Sequence, residues 1–398
     1  MQHGPTRHAP DENATRSRAL AVRQRGPGCK RIAIVLPEAG ALAKFGQGLI
    51  YQAHRRGHQI CCFAPDWTET STRHAASLGA ETKSLNILRG AASVLTGTLC
   101  LFRLRAAFKA FKPHVVLALS MKTGPVAALA GRLAGVARIV TMPLDCTDVF
   151  SAGVARNALR RLLLKPAAAT AALASHAVIL PCARDASVLA GQSGGRARKF
   201  VAAGLPGIDT QRIPHVALPA LDQGLFFLMT ADLDLREGVL DYCEAAEILR
   251  ARSRSARCLL EGKAVSGRNA FPIESLKRYR SAVQYLGPRR DLIQLIARSH
   301  ALVVPSHGMG RPDMLIVALA LGRPIIATAT RGLTEAVEDR VNGLVVPPGD
   351  PVALARAMMK FINRPDLIPR MANASRRLAE DRFDIRVVTR IVAETMRL

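Results

Sequence analysis

Residues 301–350, ALVVPSHGMGRPDMLIVALALGRPIIATATRGLTEAVEDRVNGLVVPPGD, constrain the fold more than any other part of this chain. Three short apolar runs within them, 301–305, 324–328 and 343–347, have the length and Val/Ile content of buried parallel strands. Between the first two lie a glycine-rich turn, Gly308-Met309-Gly310-Arg311-Pro312, and a helical segment at 313–321. Gly322 follows where a left-handed helix cap is expected. A strand–loop–helix unit of this kind aims backbone amides and a helix N-terminus at the carboxyl edge of a sheet. Such a place suits an anionic ligand, a diphosphate for example.

Strand-like runs separated by helical segments recur along the rest of the chain. Runs at 31–37, 58–64, 114–120, 137–142, 177–180 and 199–203 form one series. Runs at 225–230, 256–261 and 283–286 lead into the three above and form a second. Helical segments are expected at 42–56, 84–112, 126–134, 240–252 and 291–298. A length of 398 residues exceeds one ordinary core. The reading is therefore α/β: two Rossmann-like, doubly wound domains facing across a cleft. The first spans 31–213 and the second 225–380. A linker with two prolines covers 214–224, and a last helix, 381–398, packs back on the first domain. Residues 1–30 are polar, basic and dotted with Pro and Gly; they read as a disordered arm without the apolar core of a secretory signal.

The balance of 56 basic to 30 acidic residues gives a net charge of +26, which calls for an anionic partner. Aromatic content of 4% is too sparse for base-stacking platforms, and no nucleic-acid motif is present, so no specific nucleic acid is expected. An anionic membrane surface fits better, each basic residue near it contributing about 1 kcal/mol. Segment 84–112 ends with Arg103, Arg105, Lys109 and Lys112 among Leu, Phe and Ala. It is either a core-packed helix with a solvated basic end or an interfacial helix on an anionic bilayer. The longest uncharged stretch, 166–183, is broken by His176 and Pro181, and no membrane-spanning helix is expected. The eight cysteines include no C-x-x-C pair and none at metal spacing with histidine. They read as small buried hydrophobes of a reducing cytoplasm.

Against these residues a family can be set. The passage from Ala301 resembles the donor-binding half of GT-B glycosyltransferases of the retaining family four. Pro305, Ser306, Gly310, Pro312, Ala318, Ala320, Gly322, Pro324 and the ending 343–350 match that pattern. Its two glutamates are absent: Met309 stands at the first position and Val317 at the second. The loop after 225–230 departs as well. Where the family supplies an arginine and, five residues on, a lysine before a glycine, this chain has Asp232 and Glu237 before Gly238. Residues 239–249 and 287–291 then follow the family again. The opening of the chain is similar to the family's N-terminal domain, where Gly40 is either a tight turn or a weak phosphate-binding glycine. Lys122, after run 114–120, matches a lysine of the bacterial transferases that act on polyprenyl-diphosphate-linked sugars. It is either an anion contact or a surface lysine. The loop after 137–142 commonly holds a histidine near the sugar's anomeric centre in such enzymes; here Asp145 and Asp148 are the polar candidates, and Asp148 also suits a helix N-cap.

The resemblance implies a cytoplasmic enzyme, peripheral on the inner face of the plasma membrane, working in bacterial surface glycan biosynthesis. It would transfer a hexose or N-acetylhexosamine from a UDP-sugar, with retention, to a polyprenyl-diphosphate-linked or polysaccharide acceptor. Loop amides around Ser306, Gly308 and Gly310 would hold the diphosphate of the nucleotide-sugar, and Arg311 or Arg236 would stabilise its developing charge. No metal or further cofactor is implied. The changed positions weigh against this. A unit charge about 4 Å from a phosphate is worth roughly 4 kcal/mol at an effective dielectric near 20, so reversing two cations opposes diphosphate binding strongly. The alternative is a catalytically inactive homologue acting as a binding or scaffold partner.

Overall fold

The computed structural model describes residues 28–45, 47–85, 94–120, 123–143, 173–180, 200–203, 207–253, 255–308, 312–330 and 332–398. The first domain runs β1 (Arg31–Val35), α1 (Gly40–Phe45), α2 (Gln47–Arg55), β2 (Gln59–Ala64), α3 (Glu69–Ser77) and β3 (Ala80–Ser84). It continues through α4 (Val94–Phe111), β4 (Val115–Ala118), α5 (Gly124–Leu133), β5 (Arg138–Thr141), β6 (Ala177–Leu180) and β7 (Phe200–Ala202). These seven strands form one parallel sheet in the order β3-β2-β1-β4-β5-β6-β7.

Side chains of β1 alternate between two cores, as a strand buried on both faces requires. Ile32 and Ile34 join α1 and α2 on one face, while Ala33 and Val35 join α4 and α5 on the other. The adjacent cysteines of β2 split in the same way, Cys62 to the first core and Cys61 to the second. One expectation fails here. Ser84 does not open a long helix; it closes the edge strand β3, and the described helix begins at Val94. The strand's sequence, AETKS, is mostly exposed, so it lacks the apolar run by which central strands are recognised.

The second domain begins with β8 (Leu225–Thr230), α6 (Val239–Arg252), β9 (Ala256–Glu261), α7 (Leu276–Tyr279), β10 (Val283–Tyr285) and α8 (Leu292–Ala297). It continues with β11 (Ala301–Val304), α9 (Pro312–Ala320), β12 (Ile325–Thr328), β13 (Gly343–Val346), α10 (Pro351–Asn363) and α11 (Leu367–Leu378). Six parallel strands lie in the order β10-β9-β8-β11-β12-β13. Phe227 and Met229 pack beneath α6 and α10, and Leu228 packs with α9 on the opposite face. Gly322 closes α9 with φ +71°, the left-handed cap expected there. The last helix, α12 (Ile385–Met396), returns to the first domain and buries Val388, Val392, Ala393 and Met396 beside Ile32 and Ile34. No described helix is long and apolar enough to cross a membrane.

Candidate donor site

In each sheet the strand order reverses once, between β1 and β4 and between β8 and β11. Successive loops leave the carboxyl edge in opposite directions at such a point, and the gap between them is where open α/β sheets hold ligands. In the second domain those two loops are tied together. The backbone N–H of His307 donates to the carbonyl of Arg236 at 2.8 Å, and the Ser306 hydroxyl donates to the same carbonyl at 3.2 Å. The Ser306 hydroxyl also accepts from the N–H of Gly308 at 3.1 Å, and the Thr328 hydroxyl donates to the Ser306 carbonyl. Gly238 completes the junction. It has φ +78°, and a Cβ there would stand 2.1 Å from the carbonyl oxygen of Pro305, so the two loops meet this closely only around glycine.

The β8 loop is organised by Asp234, which caps a single 3-10 turn, Leu235–Glu237. Its carboxylate accepts from the N–H of Arg236 at 2.8 Å and from that residue's Nε and Nη2 at 3.1 and 2.7 Å. Those bonds hold the Asp234 carboxyl below its usual range despite partial burial. Glu237 goes the other way. Burial pushes its carboxyl up, the charges of Asp234 and Asp232 push in the same direction, and Arg236 and a hydrogen bond to Ser306 only partly offset them. Lys263, from the loop after β9, brings its Nζ to 3.9 Å from the Asp232 carboxylate. Glu261, buried at the end of β9, accepts the N–H of Arg289 at 3.2 Å. Across the junction, Nε2 of His307 lies 2.7 Å from a carboxylate oxygen of Asp241 on α6.

The fold thus brings Asp232, Arg236, Glu237, Ser306 and Gly308 into one place. Arg236 pairs its guanidinium with Asp234. Val317 faces the core behind the site, among Leu228, Leu302 and Ile325. Gly40 belongs to the first domain, where it starts α1. Lys122, Asp145, Met309, Gly310 and Arg311 lie outside the described residues. Among the described residues no group of three or more His, Cys, Asp or Glu is arranged to hold a metal ion.

Lys263, Asp234 and the His307–Asp241 pair do not emerge from sequence reasoning. For Asp234 a signal exists. Asp and Arg two residues apart make bidentate pairs four times in the described chain, at 234/236, 289/291, 364/366 and 384/386. For His307 and Asp241, 66 residues apart, only the topology supplies the meeting.

Comparison with known proteins agrees with this construction. Residues 40–214 match the family model "Glycosyl transferase 4-like domain", and residues 225–364 match "Glycosyl transferases group 1". A D-inositol 3-phosphate glycosyltransferase of Streptomyces coelicolor is 42% identical over 92 residues, 23% of this chain and 20% of that protein. The N,N'-diacetylbacillosaminyl-diphospho-undecaprenol alpha-1,3-N-acetylgalactosaminyltransferase of Campylobacter jejuni is 30% identical over 124 residues, 31% of this chain and 32% of that protein. The chain spans about half or less of the length of the curated relatives it matches. Among solved structures, Anabaena HepE in complex with UDP superposes with a TM-score of 0.71 at 18% identity, covering 92% of this chain and 99% of that one. A glycosyltransferase family model on each domain places the chain among the group 1 glycosyltransferases, and the superposition on HepE gives it the GT-B fold.

Proposed function

We propose that the chain transfers a hexose or N-acetylhexosamine from a UDP-sugar, with retention, to a lipid-linked or polysaccharide acceptor at the cytoplasmic face of an anionic membrane. The junction of the β8 and β11 loops carries this reading. Gly238 against Pro305, with Ser306 and His307 on the Arg236 carbonyl, keeps the frame of a nucleotide site at the strand-order reversal although Asp232, Glu237, Met309 and Val317 have changed its polar groups. The Anabaena neighbour's complex with UDP and the undecaprenol-diphosphate group in the Campylobacter relative's name support it. In this frame Lys263 and Arg311 supply positive charge to the diphosphate, and Arg236 joins them only by leaving Asp234. By the resemblance in sequence, Lys122 is assigned to the anionic acceptor and Asp145 to the anomeric carbon. No metal is invoked, the charge being neutralised by side chains and by the N-terminus of α9.

A second reading, an inactive homologue that scaffolds an active transferase, is favoured by the Asp234–Arg236 pair. The only cation in the loop 231–238 is held by a carboxylate, next to two further acids. Calorimetric titration with UDP separates the two readings. Micromolar binding by the unmodified chain, tightened about a hundredfold or more in Asp232→Arg/Glu237→Lys, is the expected result. Binding by the charge-restored variant alone would leave the scaffold reading standing.

A further inference from the structure

Charge in the first domain is unevenly spread. Residues 82–144 contain no Asp or Glu and nine Lys or Arg. This run includes α4 and α5, which lie side by side on one face of the first sheet. The inward side of α4 is used by Cys100, Leu104 and Phe108, the last in edge-to-face contact with Phe63 at 5.8 Å. Its outward side is also apolar: Leu99 is 48% exposed and Phe102 61%.

The neighbouring helix extends this strip. Nε of Arg105 donates to the carbonyl of Leu133 at 3.2 Å, which fixes how the two helices lie against each other. Phe102 sits one turn before Arg105, and Leu129 one turn before Leu133. Leu129 and Leu133 are exposed as well. Arg132 bonds the carbonyl of Ala174 at 2.7 Å, next in the chain to exposed Leu173. Four of the twelve large hydrophobics exposed among the described residues lie on these two helices, with exposed Arg103 and Lys109 beside them on α4.

We infer that the α4–α5 face is a docking surface for an anionic lipid bilayer, with Leu99 and Phe102 inserted among the acyl chains and the surrounding arginines and lysines at the headgroups. An apolar strip ringed by cations is the pattern of an interfacial helix. A second copy of this chain fits the face poorly, because a twofold contact would set its cations against themselves. The surface names the means of attachment for the membrane part of the proposed function and is independent of the donor site.

The test is co-sedimentation of the full chain with vesicles of phosphatidylcholine alone or mixed equally with phosphatidylglycerol, without donor or acceptor. Binding about tenfold or more stronger to the mixed vesicles is expected. Leu99→Ser/Phe102→Ser and Arg103→Glu/Lys109→Glu each lose that gain. Ile293→Ser/Val352→Ser, equally exposed but in the second domain, keeps it. Circular dichroism and UDP titration of the same proteins separate misfolding and donor-site failure from loss of docking. The inference is overturned if the unmodified chain ignores phosphatidylglycerol or if all variants bind alike. It is also overturned if gel filtration reveals a dimer that Leu99→Ser/Phe102→Ser dissolves, since the face then belongs to a second copy.

Discussion

Glu237 has the least comfortable charge in the β8 loop. Its folded carboxyl is raised above the ordinary value of 4.5, first by burial and then by Asp234 and Asp232. A raised folded value means that the protonated form is the favoured one. The associated stability is fully present below pH 4.5 and is lost as pH rises through the folded value. Glu237→Gln is therefore expected to raise the thermal midpoint at pH 7 and leave it nearly unchanged at pH 4. An equal shift at both pH values would show that charge is not the cause. The amide retains a partner for Ser306, so the junction with the β11 loop survives the change. That Asp232 and Glu237 replace cations is legible in the sequence, because residues 239–249 fix the alignment beyond them. Which carboxylate holds Arg236 is set by the one-turn 3-10 helix that brings Asp234 and Arg236 together, and the two-residue spacing is its trace in the sequence.

At the scale of elements, most strands are legible because a parallel strand covered on both faces must be apolar throughout. Edge strand β3 is not, for the opposite reason. A finer rule joins the strands and escapes notice residue by residue. His58, His114, His176 and His300 each stand immediately before a strand, β2, β4, β6 and β11. Each uses Nδ1 to accept a backbone N–H at or just before a neighbouring strand: Lys30 at 3.2 Å, Arg31 at 2.9 Å, Ile139 at 3.0 Å and Phe226 at 3.0 Å. A backbone N–H can only donate, so each ring is neutral with its proton on Nε2. Burial and nearby cations lower His58 and His114 below 6.5, and burial above all lowers His300. The stability that His58, His114 and His300 contribute is complete above pH 6.5 and falls as pH drops through their folded values. His300→Asn keeps an acceptor near the Nδ1 position but does not titrate, so its unfolding midpoint should fall less steeply between pH 6.5 and 5 than that of the unmodified chain. His300→Ala, which loses the acceptor and the stacking on Phe226, should cost about 2 kcal/mol at pH 7. Parallel pH profiles for His300→Asn and the unmodified chain would remove His300 from this account.

For the molecule as a whole, the question is what joins the domains. The two prolines at 214–224 mark a linker in the sequence, but that linker is no loose tether. Buried Arg323 donates to the carbonyls of Val216 and Ala217 and to Ala297 of the second domain, and His300 reaches the carbonyl of Pro219 at 3.2 Å. Arg376, on α11, holds the carbonyls of Thr210, Ile213 and Ala320. The two chain crossings also pair with each other: Ile208 N–H donates to Phe383 at 2.7 Å, and Ile385 N–H donates to Ile208 at 2.8 Å. These clamps are invisible in the sequence because their donors lie more than 70 residues from most of the carbonyls they hold. Asp384 sits where the crossings meet. It caps α12, accepts the Thr210 hydroxyl and takes Nε and Nη2 of Arg386 at 2.7 Å each. Burial alone would raise its carboxyl, yet Arg386 and Thr210 hold it well below the ordinary range. A depressed carboxyl contributes stability above its unfolded value and loses it as pH falls. Asp384→Asn is thus expected to destabilise the chain by about 2 kcal/mol at pH 7, with the difference closing below about pH 4. Because that carboxylate joins residue 210 to the start of α12, the same change should loosen one domain against the other. Small-angle scattering should then give a larger radius of gyration for Asp384→Asn than for the unmodified chain at pH 7. Equal radii with lowered stability would confine Asp384 to capping α12.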